Sequence, residues 1–488
     1  MSQNHFDVVI IGAGLSGIGA ACHLQRNSPN KSYAILESRE AMGGTWDLFR
    51  YPGIRSDSDM HTLGYSFKPW KHERAIADGP AILDYIQETA KDYDVEQHIR
   101  YNQQVTKIAW DSDNATWTLR IEQEGKRASK ITCNFIYSCT GYYRYDKGYT
   151  PDFPGSDQFK GELIHPQHWP EDLDYADKKV VVIGSGATAI TVVPEMAKTA
   201  QHVTMLQRSP TYVVSRPGKD PFARRMDRWL PSKLAYLVTR WKNVTMQALI
   251  FQYSRRRPQK MKEFLLALTR RELKGKVDVN KHFNPKYNPW DQRLCLVPDS
   301  DLFRSLRKGT SSVVTDQIKT FTKTGIKLES GELLKADIVV SATGLELLAM
   351  GGMEIVVDGK KISLPDTVGY RGMMLSGVPN FVLAAGYTNA SWTLKCDLTS
   401  EYVCRMLNHM DRTGYQFCVA RTQNPDMDRV AFLDLASGYV DRAIDNFPKQ
   451  GTSSPWRLYQ NYLLDLLSLR FGSMRDKELE YGRVKTQS

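Results

Sequence analysis

Apolar residues are concentrated along this chain in four short runs, and the first and third of them are each followed by a stretch of helical character. The runs cover residues 6–11 (FDVVII), 33–36 (YAIL), 179–183 (KVVVI) and 203–206 (VTML). Apolar runs of this length predict strands buried on both faces, and strands that alternate with helices predict parallel sheets. The alternating residues 116–121 predict a small antiparallel sheet instead. The pattern therefore indicates an α/β fold.

The first apolar run ends in a glycine-rich turn. Gly12, Gly14 and Gly17 form the pattern G-x-G-x-x-G between a predicted strand and a predicted helix, and Glu37 follows the next strand, 20 residues after Gly17. Glycines at this spacing let the backbone approach a pyrophosphate at the start of the helix, and an acidic residue at the strand end accepts hydrogen bonds from a ribose. This part of the chain is therefore predicted to bind a dinucleotide.

The second pair of runs repeats this arrangement with one difference. Its turn, GSGATA, supplies the candidate binding residues Gly184, Ser185, Gly186, Ala187 and Thr188. Arg208, 24 residues after Gly184, occupies the place that Glu37 has in the first unit. A guanidinium binds a 2′-phosphate that a carboxylate would repel, so Arg208 and Ser209 predict a preference for NADPH over NADH. The alternative for Arg208 is a solvated residue at a strand end.

The two turns together predict two doubly wound dinucleotide-binding (Rossmann-like) domains, with a helical insert in the second. No run of about 18 apolar residues without charge occurs, and residues 1–7 lack a basic segment followed by an apolar one, so neither a membrane span nor a signal peptide is expected. Seven cysteines without C-x-x-C spacing suit a reducing cytoplasm and argue against a dithiol oxidoreductase. No metal site is expected, and no motif for nucleic-acid recognition occurs.

The basic excess of the chain is confined to the predicted insert. Residues 221–282 contain 16 Lys and Arg against four Asp and Glu, a net charge of +12, compared with +11 for the whole chain. Apolar and basic residues recur there at helical spacing: Leu230, Leu234, Leu237 and Trp241, with Arg240 and Lys242 alongside. Either the apolar side packs on the nucleotide domains beneath a solvated basic face, or a basic amphipathic surface rests weakly on anionic lipid. The first interpretation is favoured, which predicts a cytoplasmic protein; weak peripheral membrane contact is the alternative.

The segment between the two glycine turns carries a longer pattern. Phe159, Gly161, His165 and Trp169 occur as F-x-G-x-x-x-H-x-x-x-W-P. This pattern resembles the fingerprint of the type I Baeyer–Villiger monooxygenases, members of the flavin-containing monooxygenase superfamily that use NADPH and dioxygen to insert an oxygen atom beside a ketone carbonyl. The alternative is that these four residues only pack a hinge.

A second stretch resembles the same family. Residues 43–57 match G-G-x-W, four residues, aromatic-Pro-Gly, three residues, Asp. The resemblance implies that Gly44, Thr45 and Trp46 bind cofactor, with Trp46 near the nicotinamide. It also implies that Asp57 is a buried carboxylate beside the flavin that sets the charge environment of a catalytic arginine. The alternative for Asp57 is a turn-capping side chain.

Further segments narrow the resemblance to one subgroup. The ethionamide-activating Baeyer–Villiger monooxygenases are similar to this chain at residues 184–189, 206–210, 287–296 and 386–395. By this resemblance, Arg293 is the catalytic arginine above the flavin.

Two positions depart from the wider family. Gln292 stands where that family tends to have a Lys that contacts the 2′-phosphate. More of the NADPH selectivity is therefore left to Arg208 and Ser209. The usual aromatic-rich C-terminal loop is absent, and Trp456 is the candidate to replace it near the nicotinamide.

The resemblance implies FAD in the first unit and NADPH in the second. The expected domains are the FAD-binding domain (1–145 and 371–488), a linker with the fingerprint followed by the first part of the NADPH-binding domain (146–212), the basic helical insert (213–290) and the second part of the NADPH-binding domain (291–370).

The chemistry that the resemblance implies is conversion of ketones to esters or lactones with dioxygen through a C4a-peroxyflavin, with oxidation of sulfides and thioamides as well. Two alternatives stay open. One is a flavin monooxygenase that acts mainly by S- or N-oxygenation. The other is an NADPH-binding redox flavoprotein that oxygenates no organic substrate.

Overall fold

The computed structural model describes residues 4–292, 294–424, 426–433 and 438–484. The helices of this part of the chain are α1 Leu15–Asn27, α2 Thr45–Leu48, α3 Met60–Leu63, α4 Gly79–Asp92, α5 Ala187–Met196, α6 Pro221–Trp229, α7 Ser232–Arg256, α8 Pro258–Leu273, α9 Val279–His282, α10 Asp301–Lys308, α11 Trp392–Thr413, α12 Gly438–Asp441 and α13 Tyr462–Asp465. The strands are β1 His5–Ile11, β2 Tyr33–Leu36, β3 Ile99–Arg100, β4 Gln104–Asp111, β5 Thr116–Glu122, β6 Ser129–Ser138, β7 Glu162–Ile164, β8 Lys179–Ile183, β9 His202–Gln207, β10 Val213–Arg216, β11 Cys295–Pro298, β12 Ser311–Thr315, β13 Ile318–Thr322, β14 Gly325–Leu328, β15 Leu333–Lys335, β16 Ile338–Ser341, β17 Glu354–Val357, β18 Lys360–Lys361, β19 Gly369–Tyr370, β20 Met374–Leu375, β21 Phe381–Leu383, β22 Phe417–Ala420, β23 Arg429–Ala431, β24 Lys449–Gly451 and β25 Leu479–Gly482.

The larger sheet is built around the first apolar run. Within the described residues it has nine strands in the order β18-β17-β4-β5-β6-β1-β2-β3, and β21 also pairs with β6. β1 lies between β2 and β6 and is parallel to both, so that Val9 is opposite Ala34 and Ile136. β4, β5 and β6 form an antiparallel meander in which Trp117 and Leu119 are buried, as the alternation of residues 116–121 predicted. Helices α1, α4 and α11 pack together beside this sheet.

The second sheet is parallel throughout. Its five strands follow the order β12-β9-β8-β16-β7 in the described chain. Val182 and Met205 on one face pack with α5 and α10, while Val181 and Leu206 on the other face pack against the small sheet β13-β14-β15. Burial on both faces explains why these strands are continuous apolar runs. The predicted α/β class is confirmed, with one mixed sheet and one parallel sheet.

The helical insert packs with its apolar side outward, opposite to the orientation that we expected from the sequence. α6 to α9 lie between β10 and β11, which pair with each other. We expected Leu230, Leu234, Leu237 and Trp241 to pack on the nucleotide units, and this was wrong: Leu230 is only half-buried, and the other three are exposed. Arg240, expected on a solvated basic face, is instead 5% exposed.

The reason for the reversal is a set of acceptors on the first unit, which carries the first glycine turn. The Arg240 guanidinium donates to the carbonyls of His61 (2.9 Å) and Gly64 (2.7 Å) at the end of α3. It also pairs with the buried Asp397 of α11 at 3.3 Å, and Asp397 in turn lies 3.2 Å from His23 of α1. Carbonyls at a helix end need donors, and a buried charge is stable when it is paired. The insert is therefore anchored by a buried cation.

One domain boundary differs from the expectation. β17 pairs with β4, so the chain re-enters the larger sheet at Glu354 rather than at residue 371. A four-residue strand that follows a glycine-containing connector has too little pattern to show in the sequence. No helix of the described chain combines the length and the apolar character that crossing a membrane requires.

Candidate active site

Both glycine turns open onto one cavity of 1530 Å³. Its wall includes Gly12 and Gly14 from the first turn and residues 184–188 from the second. The ends of the return strands β6 and β16 contribute Thr140 and Thr343. Ligands of parallel α/β sheets bind at the carboxyl ends of the strands, so two nucleotide sites facing a shared space suit the transfer of a hydride between two cofactors.

The first turn is shaped by contacts that exclude any side chain. A Cβ on Gly12, whose φ is +105°, would lie 2.6 Å from the carbonyl oxygen of Cys139, and one on Gly17 would lie 1.9 Å from the carbonyl oxygen of Gly12. Gly14 caps α1, which directs the unpaired N–H groups of the first helical turn at the cavity. Glu37 is buried and accepts a 2.7 Å hydrogen bond from the backbone N–H of Ala13. This cradle fits a dinucleotide pyrophosphate, with a carboxylate fixed at the end of the second strand.

The second turn has the same geometry. Gly184 has φ +134°, and a Cβ there would lie 2.4 Å from the carbonyl oxygen of Ala342. Gly186 caps α5 and faces open space. Arg208 and Ser209 follow β9, are exposed and line the cavity, and the Ser185 hydroxyl donates to the carbonyl of Ser209 at 3.2 Å. Arg208 makes no ion pair with any residue that the structure describes, so its guanidinium is available to a ligand.

The aromatic-Pro-Gly sequence at residues 51–53 joins the two units. The backbone N–H of Ile54 donates to the carbonyl of Tyr51 at 3.2 Å, and Gly53 has φ +74°, as a Pro-Gly turn of type II requires. A Cβ on Gly53 would lie 3.0 Å from Glu195 of α5. Burial raises the pKa of Tyr51 to about 12, and the nearby Thr188 of the second turn acts in the opposite direction. The turn therefore packs the first unit directly against α5, the helix that follows the second glycine turn.

The residues around this turn line the cavity. Gly44 has φ +56°, and a Cβ there would lie 3.1 Å from the Cα of Gly14. Thr45, Trp46 and the half-buried Asp57 are also in the wall. The predicted residues of the two turns and of this motif are therefore brought together in one place.

Aromatic rings form the apolar part of the wall. Tyr142 and Tyr143 share a 2.9 Å hydrogen bond between their hydroxyls. The ring of Tyr142 lies 5.1 Å from that of Trp392, whose indole N–H donates to Ser16 at 3.0 Å. Phe49 packs edge-on against Tyr143 at 6.4 Å. Such a surface restricts water and suits a planar ring system or an apolar substrate.

Comparisons with known proteins agree with this geometry. Residues 6–349 match the family described as "FMO-like: Flavin-binding monooxygenase-like". The chain belongs to that family. It is 54% identical over 480 residues to "FAD-containing monooxygenase EthA" of Mycobacterium tuberculosis, covering 98% of both chains.

Solved structures of low sequence identity have the same fold. "Oxidized steroid monooxygenase bound to NADP" superimposes with a TM-score of 0.77 at 22% identity, covering 98% of this chain and 100% of that one. Cyclohexanone monooxygenase, solved with epsilon-caprolactone bound, gives a TM-score of 0.74 at 20% identity, covering 98% and 99%.

The residues of the monooxygenase fingerprint lie outside the cavity wall. Phe159 packs against Phe321 at 5.9 Å, Trp169 packs beside the second sheet, and a Cβ on Gly161 would lie 2.2 Å from a carbonyl oxygen. The Nδ1 of His165 accepts from the backbone N–H of Gln167 at 3.1 Å, so Nε2 carries the proton and donates to the carbonyl of Gly344 at 3.2 Å. Burial lowers the pKa of His165, in keeping with this neutral tautomer. In this monooxygenase, then, the fingerprint holds the connector against the end of β16.

The catalytic arginine expected at position 293 lies outside the described residues. Gln292 on one side of it and Cys295 beyond it both line the cavity. Arg55, which the sequence analysis did not single out, is also in the wall and forms a two-point ion pair with Asp301 at the start of α10. Arg55 stands within residues 43–57, so its position in the motif was the available clue.

The structure does not bring Trp456 to the cavity. Its side chain is buried in the core beside Tyr370, with the two rings edge-on at 5.6 Å. The backbone N–H of Gly451 donates to the carbonyl of Trp456, which holds it there. Trp456 is therefore positioned by packing in the hydrophobic core and not by contact with the cavity.

Two residues just beyond Trp456 do support the cavity. Asp465 accepts hydrogen bonds from Tyr387 at 2.6 Å and from the fully buried Lys395 at 2.9 Å, and Gln460 accepts from the backbone N–H of Thr388 at 3.0 Å. Burial lowers the pKa of Lys395. Tyr387 and Thr388 line the cavity, so the C-terminal segment braces its wall. The paired acid and lysine are far apart in sequence, and no local pattern connects them.

Proposed function

We propose that this protein is an FAD- and NADPH-dependent Baeyer–Villiger monooxygenase that converts ketones to esters or lactones and also oxidises sulfides and thioamides. The observation that carries the proposal is the single cavity onto which both glycine turns open, with Asp57 and the motif of residues 43–57 in its wall. When bound and reduced by NADPH, the flavin supplies the activation of dioxygen.

The first unit is proposed to hold FAD. The glycine cradle at Gly12 and Gly17 would admit a pyrophosphate, the N-terminus of α1 offers N–H donors, and Glu37, which accepts from the N–H of Ala13, would bind a ribose. The name of the relative EthA, at 54% identity over nearly the whole chain, supports the same cofactor.

The second unit is proposed to hold NADPH. Arg208 and Ser209 lie beside the N-terminus of α5 and present an unpaired guanidinium and a hydroxyl to the 2′-phosphate. Gln292, also in the wall, adds at most a neutral contact. The steroid monooxygenase solved with NADP has the same fold, which is consistent with this assignment.

The catalytic pair is proposed to be Arg293 with Asp57. Negative charge develops on the reacting oxygen, and a fixed cation stabilises it most in a site that excludes water. In this proposal Asp57, half-buried in the cavity wall, would orient that cation, and the rings of Tyr142, Tyr143 and Trp392, which line the same wall, would exclude water. Arg55 is committed to Asp301 and is the weaker candidate for the same role.

Product analysis with labelled dioxygen tests the proposal. The purified holoenzyme is supplied with NADPH and, in separate reactions, with a cyclic ketone, a sulfide and a thioamide. One labelled oxygen atom should appear in the lactone, the sulfoxide and the S-oxide, respectively. Labelled sulfoxide without lactone would favour heteroatom oxygenation, the alternative supported by the flavin-binding monooxygenase-like family match. Hydrogen peroxide equal to the NADPH consumed, with no organic product, would leave only a redox flavoprotein.

A further inference from the structure

The exposed apolar residues of this protein are concentrated on two neighbouring segments. Of the 16 exposed large hydrophobic side chains in the described residues, 11 belong to α6–α7 or to residues 462–471. Trp229, Leu249, Leu467 and Phe471 are 76%, 62%, 60% and 70% exposed, respectively. A large exposed apolar patch is rare on a monomer and marks an interaction site.

The two segments meet at one point, and the exposed apolar side chains of Trp229, Leu234, Leu237, Trp241, Leu467 and Phe471 are here called the outer face. The ring of Trp241 on α7 lies 6.0 Å from that of Tyr462 at the start of α13. Leu234, Leu237 and Trp241 are spaced three and four residues apart, so they follow one side of α7. On the inner side of the same helix, Arg240 is buried against α3. α7 therefore presents its apolar side to the surroundings.

Basic residues border the outer face. Arg225, Arg228 and Lys233 are exposed beside Trp229 and Leu234, and none of the three pairs with a described carboxylate. They belong to the segment 221–282, whose net charge is +12. Tryptophan and leucine beneath a rim of unpaired cations match the composition of helices that lie in the interface of an anionic bilayer.

We infer that the outer face docks on the surface of membranes that contain anionic lipid. A second copy of the chain is a less suitable occupant, because a two-fold contact through this surface would bring the same unpaired cations together. An anionic bilayer complements those cations and takes up the apolar side chains at the level of its head groups. The inference does not depend on the proposed reaction.

Partitioning of the flavin-loaded enzyme into vesicles tests the inference. Vesicles of phosphatidylcholine with phosphatidylglycerol should bind the enzyme, and vesicles of phosphatidylcholine alone should bind it far less. Brominated acyl chains should quench tryptophan fluorescence in the bound state, and the quenched fraction should fall in Trp229→Phe. Raising the salt to about 1 M should weaken binding, because screening then acts within about 3 Å. Equal binding to both vesicle types, or quenching that is unchanged in Trp229→Phe, would overturn the inference.

Two sets of substitutions distinguish vesicle binding through the outer face from nonspecific hydrophobic binding. The triple variant Trp229→Ser, Leu467→Ser, Phe471→Ser should lower the partition coefficient for anionic vesicles about tenfold or more. The control Leu163→Ser, Leu333→Ser changes exposed apolar residues elsewhere, 40% and 42% exposed, and should leave it unchanged. Flavin content and the NADPH oxidation rate in the absence of lipid report that every variant is folded.

Charge and self-association are tested in the same way. Replacing Arg225, Arg228 and Lys233 with glutamine should reduce binding to anionic vesicles and remove its salt dependence. Sedimentation velocity on the wild type and on the triple serine variant asks whether the surface joins two copies. A dimer that the serine substitutions dissociate, together with no partitioning into anionic vesicles, would show that a second copy covers the outer face and would overturn the inference.

Discussion

Replacing Arg208 with alanine should remove most of the preference for NADPH over NADH. The guanidinium stands just after β9, lines the cavity and has no ion-pair partner among the described residues. Ser209 beside it supplies a neutral donor, and Gln292, where the resembling family tends to have Lys, supplies no charge. A 2′-phosphate in this part of the cavity would therefore depend on Arg208 for its charge neutralisation.

The size of the effect follows from the exposure of Arg208. A hydrogen bond to a charged group contributes about 1.5–3 kcal/mol, which corresponds to a ratio of about 10 to 150. Because the side chain is exposed, solvent screens the pair, and the lower end of that range applies. The NADPH-to-NADH ratio should thus fall about tenfold, and the wild-type ratio itself should decrease as salt is added.

The assay is anaerobic reduction of the bound flavin, followed in a stopped-flow instrument with each nucleotide. The second-order constant for NADPH should fall in Arg208→Ala, while that for NADH stays the same. Ser209→Ala should lower the ratio less, and Gln292→Lys should raise it by adding a second cation at the cavity wall. If Arg208→Ala keeps the wild-type ratio, the phosphate is bound elsewhere and the assignment of the second unit is wrong.

Three further changes test other parts of the structure. Arg293→Ala should still bind FAD and accept hydride from NADPH but lose ester formation by about 10²–10³, with Asp57→Ala acting in the same direction and less strongly; mass spectrometry of the product checks both, and wild-type ester yield in Arg293→Ala would contradict the assignment. Arg240→Ala breaks a buried ion pair at a cost of about 3–5 kcal/mol, which for a chain of 488 residues lowers the melting temperature by roughly 3–5 °C. The matched control is Arg255→Ala, which removes the exposed ion pair with Asp291 and should lower the melting temperature by no more than about 1 °C. Because burial lowers the pKa of His165, its neutral ring contributes stability that is fully present above about pH 6.5 and is lost as the pH falls below that value; a melting temperature measured from about pH 7 to 5 should therefore fall less steeply in His165→Gln, and an unchanged slope would contradict this.

The elements with a local pattern could be predicted from the sequence. β1, β8 and the glycine turns after them were evident because a buried parallel strand is a continuous apolar run and because only glycine fits where a Cβ would meet a carbonyl oxygen. The cavity residues Trp46 and Asp57 were found through a pattern of fifteen positions, residues 43–57, and not through their own chemistry.

The orientation of the insert could not be predicted in the same way. Helical spacing shows that Leu234, Leu237 and Trp241 share one side of a helix, but it does not show which side meets the rest of the protein. That choice was made by acceptors distant in sequence, the carbonyl of Gly64 and the carboxylate of Asp397. The rule that apolar residues turn inward failed because a paired and hydrogen-bonded guanidinium is stable in a buried position.

Residues that act through distant partners were missed for the same reason. Asp465 and Lys395 are 70 residues apart and form one buried pair behind the cavity wall. Neither residue belongs to a sequence motif that would predict this pairing. Trp456 is the opposite kind of error. We assigned this aromatic residue to the cavity because of its position in the sequence, whereas its ring packs in the core.

The contacts on the two sides of α7 together determine how docking on a membrane would affect the cavity. Its inner side is tied to the first unit by Arg240, and Val244 one turn further packs with Tyr387 and Leu394 next to the cavity wall. Because breaking the Arg240 pair would cost about 3–5 kcal/mol, this contact holds α7 to that unit. A bilayer that holds the outer face would therefore fix the orientation of the cavity itself with respect to the lipid. An enzyme docked in this way would take apolar substrate from the membrane surface, and lipid binding would change the apparent KM for such a substrate more than kcat.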